Sequence, residues 1–149
     1  MTKSLPAKSL VLYADDDPDD LDLVKEAFRQ YSRSIQLVCF TDGIQLLDYL
    51  SDAAAPSALP CLIILDINMP QMDGKRVLSK LRSMQGFEDV PVVLFSTSTL
   101  PSEQAFATSF NAGFITKPLN EDQMYQLVDK MVEHCQNDVK ATIRKGKGK

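Results

Sequence analysis

Cysteine and histidine are scarce in this chain. Cys39, Cys61 and Cys135 are odd in number, far apart along the sequence and set among apolar neighbours, so neither a disulfide framework nor a zinc site is indicated. A reducing compartment fits. The one histidine, His134, falls near the end of the last expected helix, where a cation beside the helix dipole is an ordinary structural feature. No apolar run approaches the roughly 18 residues needed to cross a bilayer, and the N-terminus MTKSLPAKSL lacks a signal-peptide core. The expectation is a soluble, cytoplasmic protein with no membrane partner. The few glycines form no GxxxxGK[ST] loop, so nucleotide binding has no support.

What is present is an ordinary globular balance: 149 residues, 44% hydrophobic and 24% charged, enough for one core. The net charge of −4 hides an asymmetry. Lys140, Arg144, Lys145, Lys147 and Lys149 crowd the last ten residues, leaving eleven cations against twenty acids before them. An acidic body argues against nucleic-acid binding by the folded domain, because phosphate contacts need clustered Lys and Arg. The basic residues 136–149 read as a solvated, disordered tail.

Short apolar runs alternate with helical periodicities. Ser9 to Ala14 reads as a buried strand that stops at Asp15, Asp16 and Asp17. Pro18 suits the first turn of a helix that Asp17 can cap and that Asp19 and Asp20 favour, with Leu21, Val24, Ala27, Phe28 and Tyr31 at helical spacing. Ile35 to Phe40 is a second strand, followed by a helix from about Asp42 to Leu50 with Ile44, Leu47 and Leu50 on one face. Residues 51–60 form a loop. Cys61 to Leu65 is a central strand ending at Asp66, and Asp73 caps a third helix containing Val77, Leu78 and Leu81. Val90 to Phe95 leads to Ser96, and Pro101 to about Phe110 is a weaker helix. Phe114 to Thr116 is a short fifth strand before Lys117, and a last helix runs from about Glu121 to Cys135. This order predicts an α/β fold, a flavodoxin-like doubly wound parallel sheet with strand order 2-1-3-4-5.

In such a sheet the ligand crevice lies at the carboxyl ends of the strands, at the switch point between strands one and three. Asp15, Asp16 and Asp66 converge there. Two carboxylates about 4 Å apart repel by roughly 4 kcal/mol at an effective dielectric of about 20, so the cluster calls for a cation. Hard oxygens without a nearby imidazole or thiolate suit Mg2+, which commonly shares its shell with phosphate. Helix capping accounts for Asp17, Asp19, Asp20 and Asp73, but only a shared ligand accounts for acid, acid, hydroxyl (Ser96) and ammonium (Lys117) at matching strand ends. A phosphoryl group fits, and Asp66, on the central strand, is the best placed carboxylate to accept it as an aspartyl phosphate.

The sequence resembles the receiver domain of two-component response regulators over residues 8–135. The resemblance rests on Leu12-Tyr13-Ala14-Asp15-Asp16-Asp17-Pro18, Asp66-Ile67-Asn68-Met69-Pro70-Gln71-Met72-Asp73-Gly74, Ser96-Thr97 and Lys117-Pro118. It implies that Asp66 takes a phosphoryl group from a sensor histidine kinase, that Asp15, Asp16, Asp66 and the backbone carbonyl of Asn68 hold Mg2+, and that Lys117 contacts the phosphoryl group. Ser96 falls at the switch hydroxyl and Phe114 at the aromatic switch position. Ser96 stands where Thr is commoner, and Thr97 where Ala or Gly is usual, which narrows donor access. Asn68 and Ser98 match variable positions that tune dephosphorylation. The loop 51–60 is similar to that of stand-alone regulators paired with bacterial phytochromes.

Haloacid-dehalogenase-like phosphatases also combine an Asp nucleophile, Mg2+, a hydroxyl and Lys, but their general acid stands two residues after the nucleophile, where this chain has Asn68. A receiver that has lost phosphorylation is at odds with the complete acid, hydroxyl and lysine set. With about 14 residues after the last expected helix, output is expected through a downstream target protein or a phosphotransfer protein; a homodimer is allowed.

Overall fold

A computed structural model of the chain describes residues 8–52, 59–118, 120 and 122–147. Most of the expected loop 51–60, the start of the last expected helix at Glu121 and the terminal Lys149 lie outside these residues.

Five parallel strands, β1 (Ser9–Ala14), β2 (Ile35–Phe40), β3 (Leu62–Asp66), β4 (Val92–Ser96) and β5 (Gly113–Thr116), stand in the order β2-β1-β3-β4-β5. Helices α1 (Pro18–Phe28), α2 (Gly43–Ser51), α3 (Gly74–Ser83), α4 (Pro101–Ser109) and α5 (Asp122–Val132) make the crossovers and the final return. The expected doubly wound sheet is therefore observed. Side chains alternate across a strand, and the central strands use both faces. Val11, Tyr13, Leu62, Ile64, Val93 and Phe95 pack with α1 and α5, while Leu12, Ile63, Leu65, Val92 and Leu94 pack with α2, α3 and α4.

Local signals set the boundaries. Asp17 accepts from the Asp19 amide (2.9 Å), Asp42 from that of Gln45 (2.8 Å) and Asp73 from that of Arg76 (2.8 Å), each capping a helix start. Pro91 has no amide hydrogen to give a neighbouring strand, and β4 begins after it. The inner stripe of α2 differs from the expected one. Gly43 and Leu46 are buried and Ile44 is 37% exposed, because the helix lays Gly43 against Val77 of α3.

The tail expectation is corrected. Asn137–Lys145 is a helix, α6, and its Ile143 is fully buried in the α1/α5 core with Val139 packed beside it. Two apolar residues one turn apart suffice to anchor it. Lys140 reaches Glu133 at 3.3 Å, Arg144 also meets Glu133, and Lys147, two residues past the helix, meets Asp129 at 3.2 Å, beside the Tyr31 hydroxyl that donates to Asp129. Expected to end at Cys135, α5 stops at Val132, and a tight turn carries the chain into α6. His134 lies in this turn with its ring over Gly113, and desolvation there lowers its pKa, the opposite of a helix-end cation. The turn also places Cys135 next to Cys61, a proximity their sequence separation conceals.

Candidate functional site

The strand register builds the site. Ala14 pairs with Leu65, Asp66 with Phe95 and Ser96 with Thr116, so the residues that follow β1 and β5, Asp15 and Lys117, emerge beside Asp66 and Ser96. Parallel strands thus deliver four polar side chains to one sheet edge without a dedicated loop to carry them.

Asp15 is fully buried, Asp66 is 4% exposed and Asp16 is exposed. One carboxylate oxygen from each lies within 4.8 Å of the others. Lys117 Nζ sits among the acids, 2.9 Å from Asp15 Oδ2, 3.1 Å from Asp66 Oδ1 and 2.8 Å from Asp20 Oδ2. Its ammonium also lies over the Phe95 ring, 5.5 Å from Nζ to the centroid. The Lys117 amide donates to the Ser96 carbonyl at 2.7 Å, so the lysine and the hydroxyl-bearing residue share one backbone anchor. The Ser96 side chain is fully buried and its Oγ accepts from the Ser98 amide at 3.0 Å.

Electrostatics follow from burial. Removal from water, reinforced by the Asp15 charge, pushes the Asp66 carboxyl up from 3.8 to about 7, and Lys117 only partly offsets this. Burial works against the Lys117 cation, yet its bonds to Asp20 and Asp15 win and its pKa rises. The Tyr13 hydroxyl, also raised by burial and by Asp15, stays protonated and donates to Asp15 Oδ2 at 2.5 Å. Asp15 Oδ1 accepts from the Asp17 amide at 3.0 Å. The Asp15 carboxylate is therefore aimed by donors on both oxygens.

Asp15, Asp16, Asp66 and Lys117 are brought together as the sequence predicts. Asn68 is exposed in the turn two residues beyond Asp66, and Phe114 is partly buried on the α4 side of β5. Two participants were missed. Asp20, assigned to capping, instead pairs with Lys117; its place in the first turn of α1, whose N-terminus follows the Asp15-Asp16-Asp17 turn, was the available signal. Tyr13 read as core, and its hydroxyl was the clue. A third requirement is steric: a Cβ on Gly74 would stand 2.2 Å from the Asp66 carbonyl oxygen, so the start of α3 can lie against Asp66 only with glycine there.

The donor set suits a divalent metal: three carboxylates, one of them on the exposed Asp16, with no imidazole or thiolate among them. No helix of the described residues is long and apolar enough to cross a membrane.

Comparison with known proteins gives a consistent result. The family model described as the response regulator receiver domain matches residues 11–129. The probable methanogenesis regulatory protein FilR2 of Methanothrix harundinacea is 27% identical over 128 residues, covering 84% of this chain and 82% of the relative. The phosphorylated cyanobacterial phytochrome response regulator RcpA superposes with a TM-score of 0.79 at 28% identity, over 89% of this chain and 96% of that one. Response regulator Rcp1 of Synechocystis sp. is 26% identical over 129 residues, covering 85% of this chain and 87% of the relative. Its Mn2+-bound crystal structure aligns with a TM-score of 0.72 at 25% identity, over 80% of this chain and 88% of that one.

Proposed function

Because the chain belongs to the response regulator receiver domain family of two-component signalling, we propose that Asp66 is its phosphoacceptor and a sensor histidine kinase its phosphodonor. The observation that carries this reading is a buried carboxylate at the end of the central strand, 3.1 Å from an ammonium and within 4.8 Å of two further carboxylates. In the reaction an Asp66 oxygen bonds to phosphorus as the phosphorus–nitrogen bond of the phosphohistidine breaks, and the departing imidazole keeps the electron pair and takes a proton. Lys117 faces the arriving oxygens. Ser96, on the neighbouring strand, supplies a hydroxyl for the same group. Asp15, Asp16, Asp66 and the Asn68 carbonyl are the residues assigned to Mg2+, which when bound neutralises phosphoryl oxygens. The Mn2+-bound relative and the hard donor set support that assignment.

The chemistry is confined to gain and loss of the phosphoryl group on Asp66, within a unit assigned to residues 8–135. Its partners are the kinase and a downstream target or phosphotransfer protein in the cytoplasm. Incubation with acetyl phosphate and Mg2+ should add about 80 Da once, as expected for one phosphoryl group. The gain should vanish in Asp66→Asn and with EDTA. Label that persists in Asp66→Asn, or that EDTA leaves undiminished, overturns the assignment.

A further inference from the structure

Far from Asp66, at the opposite end of β3, the Sγ atoms of Cys61 and Cys135 lie 3.8 Å apart, and both thiols are free. The Cys61 amide donates to the Leu10 carbonyl at 2.8 Å, which fixes it to the start of the sheet, and the Cys135 amide donates to Val132 at 3.0 Å in the turn that closes α5. The two sulfurs are thus presented to each other by rigid elements. Cys135 is 4% exposed, whereas Cys61 is partly exposed and lines an open pocket of about 470 Å3 with Pro60, Pro91, Gln136 and Val139. Cys61 is thus the more accessible residue of the two.

We propose that Cys61 and Cys135 are a hydroperoxide-responsive thiol pair that closes to an intramolecular disulfide. The Cys61 thiolate attacks the peroxide oxygen; an S–O bond forms, the O–O bond breaks, and the alcohol or water that leaves takes a proton. The Cys135 sulfur then attacks the resulting sulfenic sulfur, and the hydroxyl leaves as water with the Cys135 proton. Two thiols lose two protons and two electrons, and one hydroperoxide is reduced.

The asymmetry of the pair matches these roles. The hydrogen bond from Cys135 lowers the Cys61 thiol against the opposing effect of burial, and the same bond, with burial, raises Cys135. Cys39, on β2, has its thiol raised by burial and has no part in the pair. The bond would tie the end of α5, one residue before the α6 N-cap Gln136, to the base of β3.

The test uses the full chain, reduced, freed of reductant and treated with hydrogen peroxide, then denatured and alkylated with iodoacetamide. Reduced protein should take up three labels, one per cysteine. Oxidised protein should take up one, on Cys39, and weigh about 2 Da less before labelling, the two hydrogens lost on disulfide closure. Peptide mapping should give a Cys61–Cys135 cross-link that dithiothreitol reverses, formed equally in Asp66→Asn, so the pair stands or falls apart from the phosphoacceptor reading. In Cys135→Ser the Cys61 sulfenic acid should persist and react with dimedone. Three labels after peroxide, a cross-link through Cys39, or a disulfide between two chains overturns the proposal.

Discussion

Asp66 is held in a position that disfavours its own charge. With its carboxyl raised from 3.8 to about 7, the folded state binds a proton more tightly than the unfolded chain does. The stability this contributes is complete below about pH 4 and lost as pH rises to about 7. In EDTA, Asp66→Asn should therefore match the native protein at pH 4 and exceed it by about 2–4 kcal/mol at pH 8, as urea denaturation would show. A constant difference across pH would contradict the raised carboxyl. The residues that set this charge balance were legible where a strand ends abruptly in a polar side chain, as at Asp15, Asp66, Ser96 and Lys117. Asp20 was not, because a first-turn acid has a sufficient local explanation in the helix dipole, and only the three-dimensional approach of Lys117 reveals the second one.

Helix α6 departs from expectation, whereas α4 meets it. The stretch 137–145 is rich in charge, with Val139 and Ile143 its only large apolar residues, so composition argues for a solvated segment. Tertiary packing overrides that prior, since the fully buried Ile143 seats α6 in the core shared by α1 and α5. Ile143→Ala should cost about 2–4 kcal/mol with an unchanged urea m-value, whereas Lys147→Ala should change stability by less than about 1 kcal/mol. A solvated tail would show no loss from either. By contrast α4 was legible as weak and is weak. Its N-cap is Leu100 with no side-chain bond, it fully buries Ala107 alone, and a Glu103 carboxylate oxygen is buried without a hydrogen-bond partner.

Strand-helix alternation and the handedness of parallel crossovers predict the parallel sheet with helices on both faces, and the order 2-1-3-4-5 comes with the flavodoxin-like reading. What the order of elements does not give is how Ser96 and Phe114 stand to the two layers of helices, because this depends on which side each residue of β4 and β5 presents. Phe114 lies with Phe106 and Phe110 on the α4 side, while Ile115 lies on the α5 side. A group that draws Ser96 toward Asp66 thus acts beside the strand that carries Phe114 and beside α4, whose one fully buried residue is Ala107. Beryllofluoride, a phosphoryl mimic, should alter amide exchange over residues 101–116 in the native protein and much less in Ser96→Ala. Equal changes in both, or changes confined to the Asp66 pocket, would break this link.

Gly74 also has a mechanical role. The amide of Gly74 is bonded to the Ile67 carbonyl at 2.8 Å, and its bare α-carbon leaves no gap behind the Asp66 backbone. The start of α3 is the backstop of the β3 end: any side chain at position 74 has to displace either the Asp66 backbone or the first turn of α3, so the seat of the carboxylate depends on an atom that is not there.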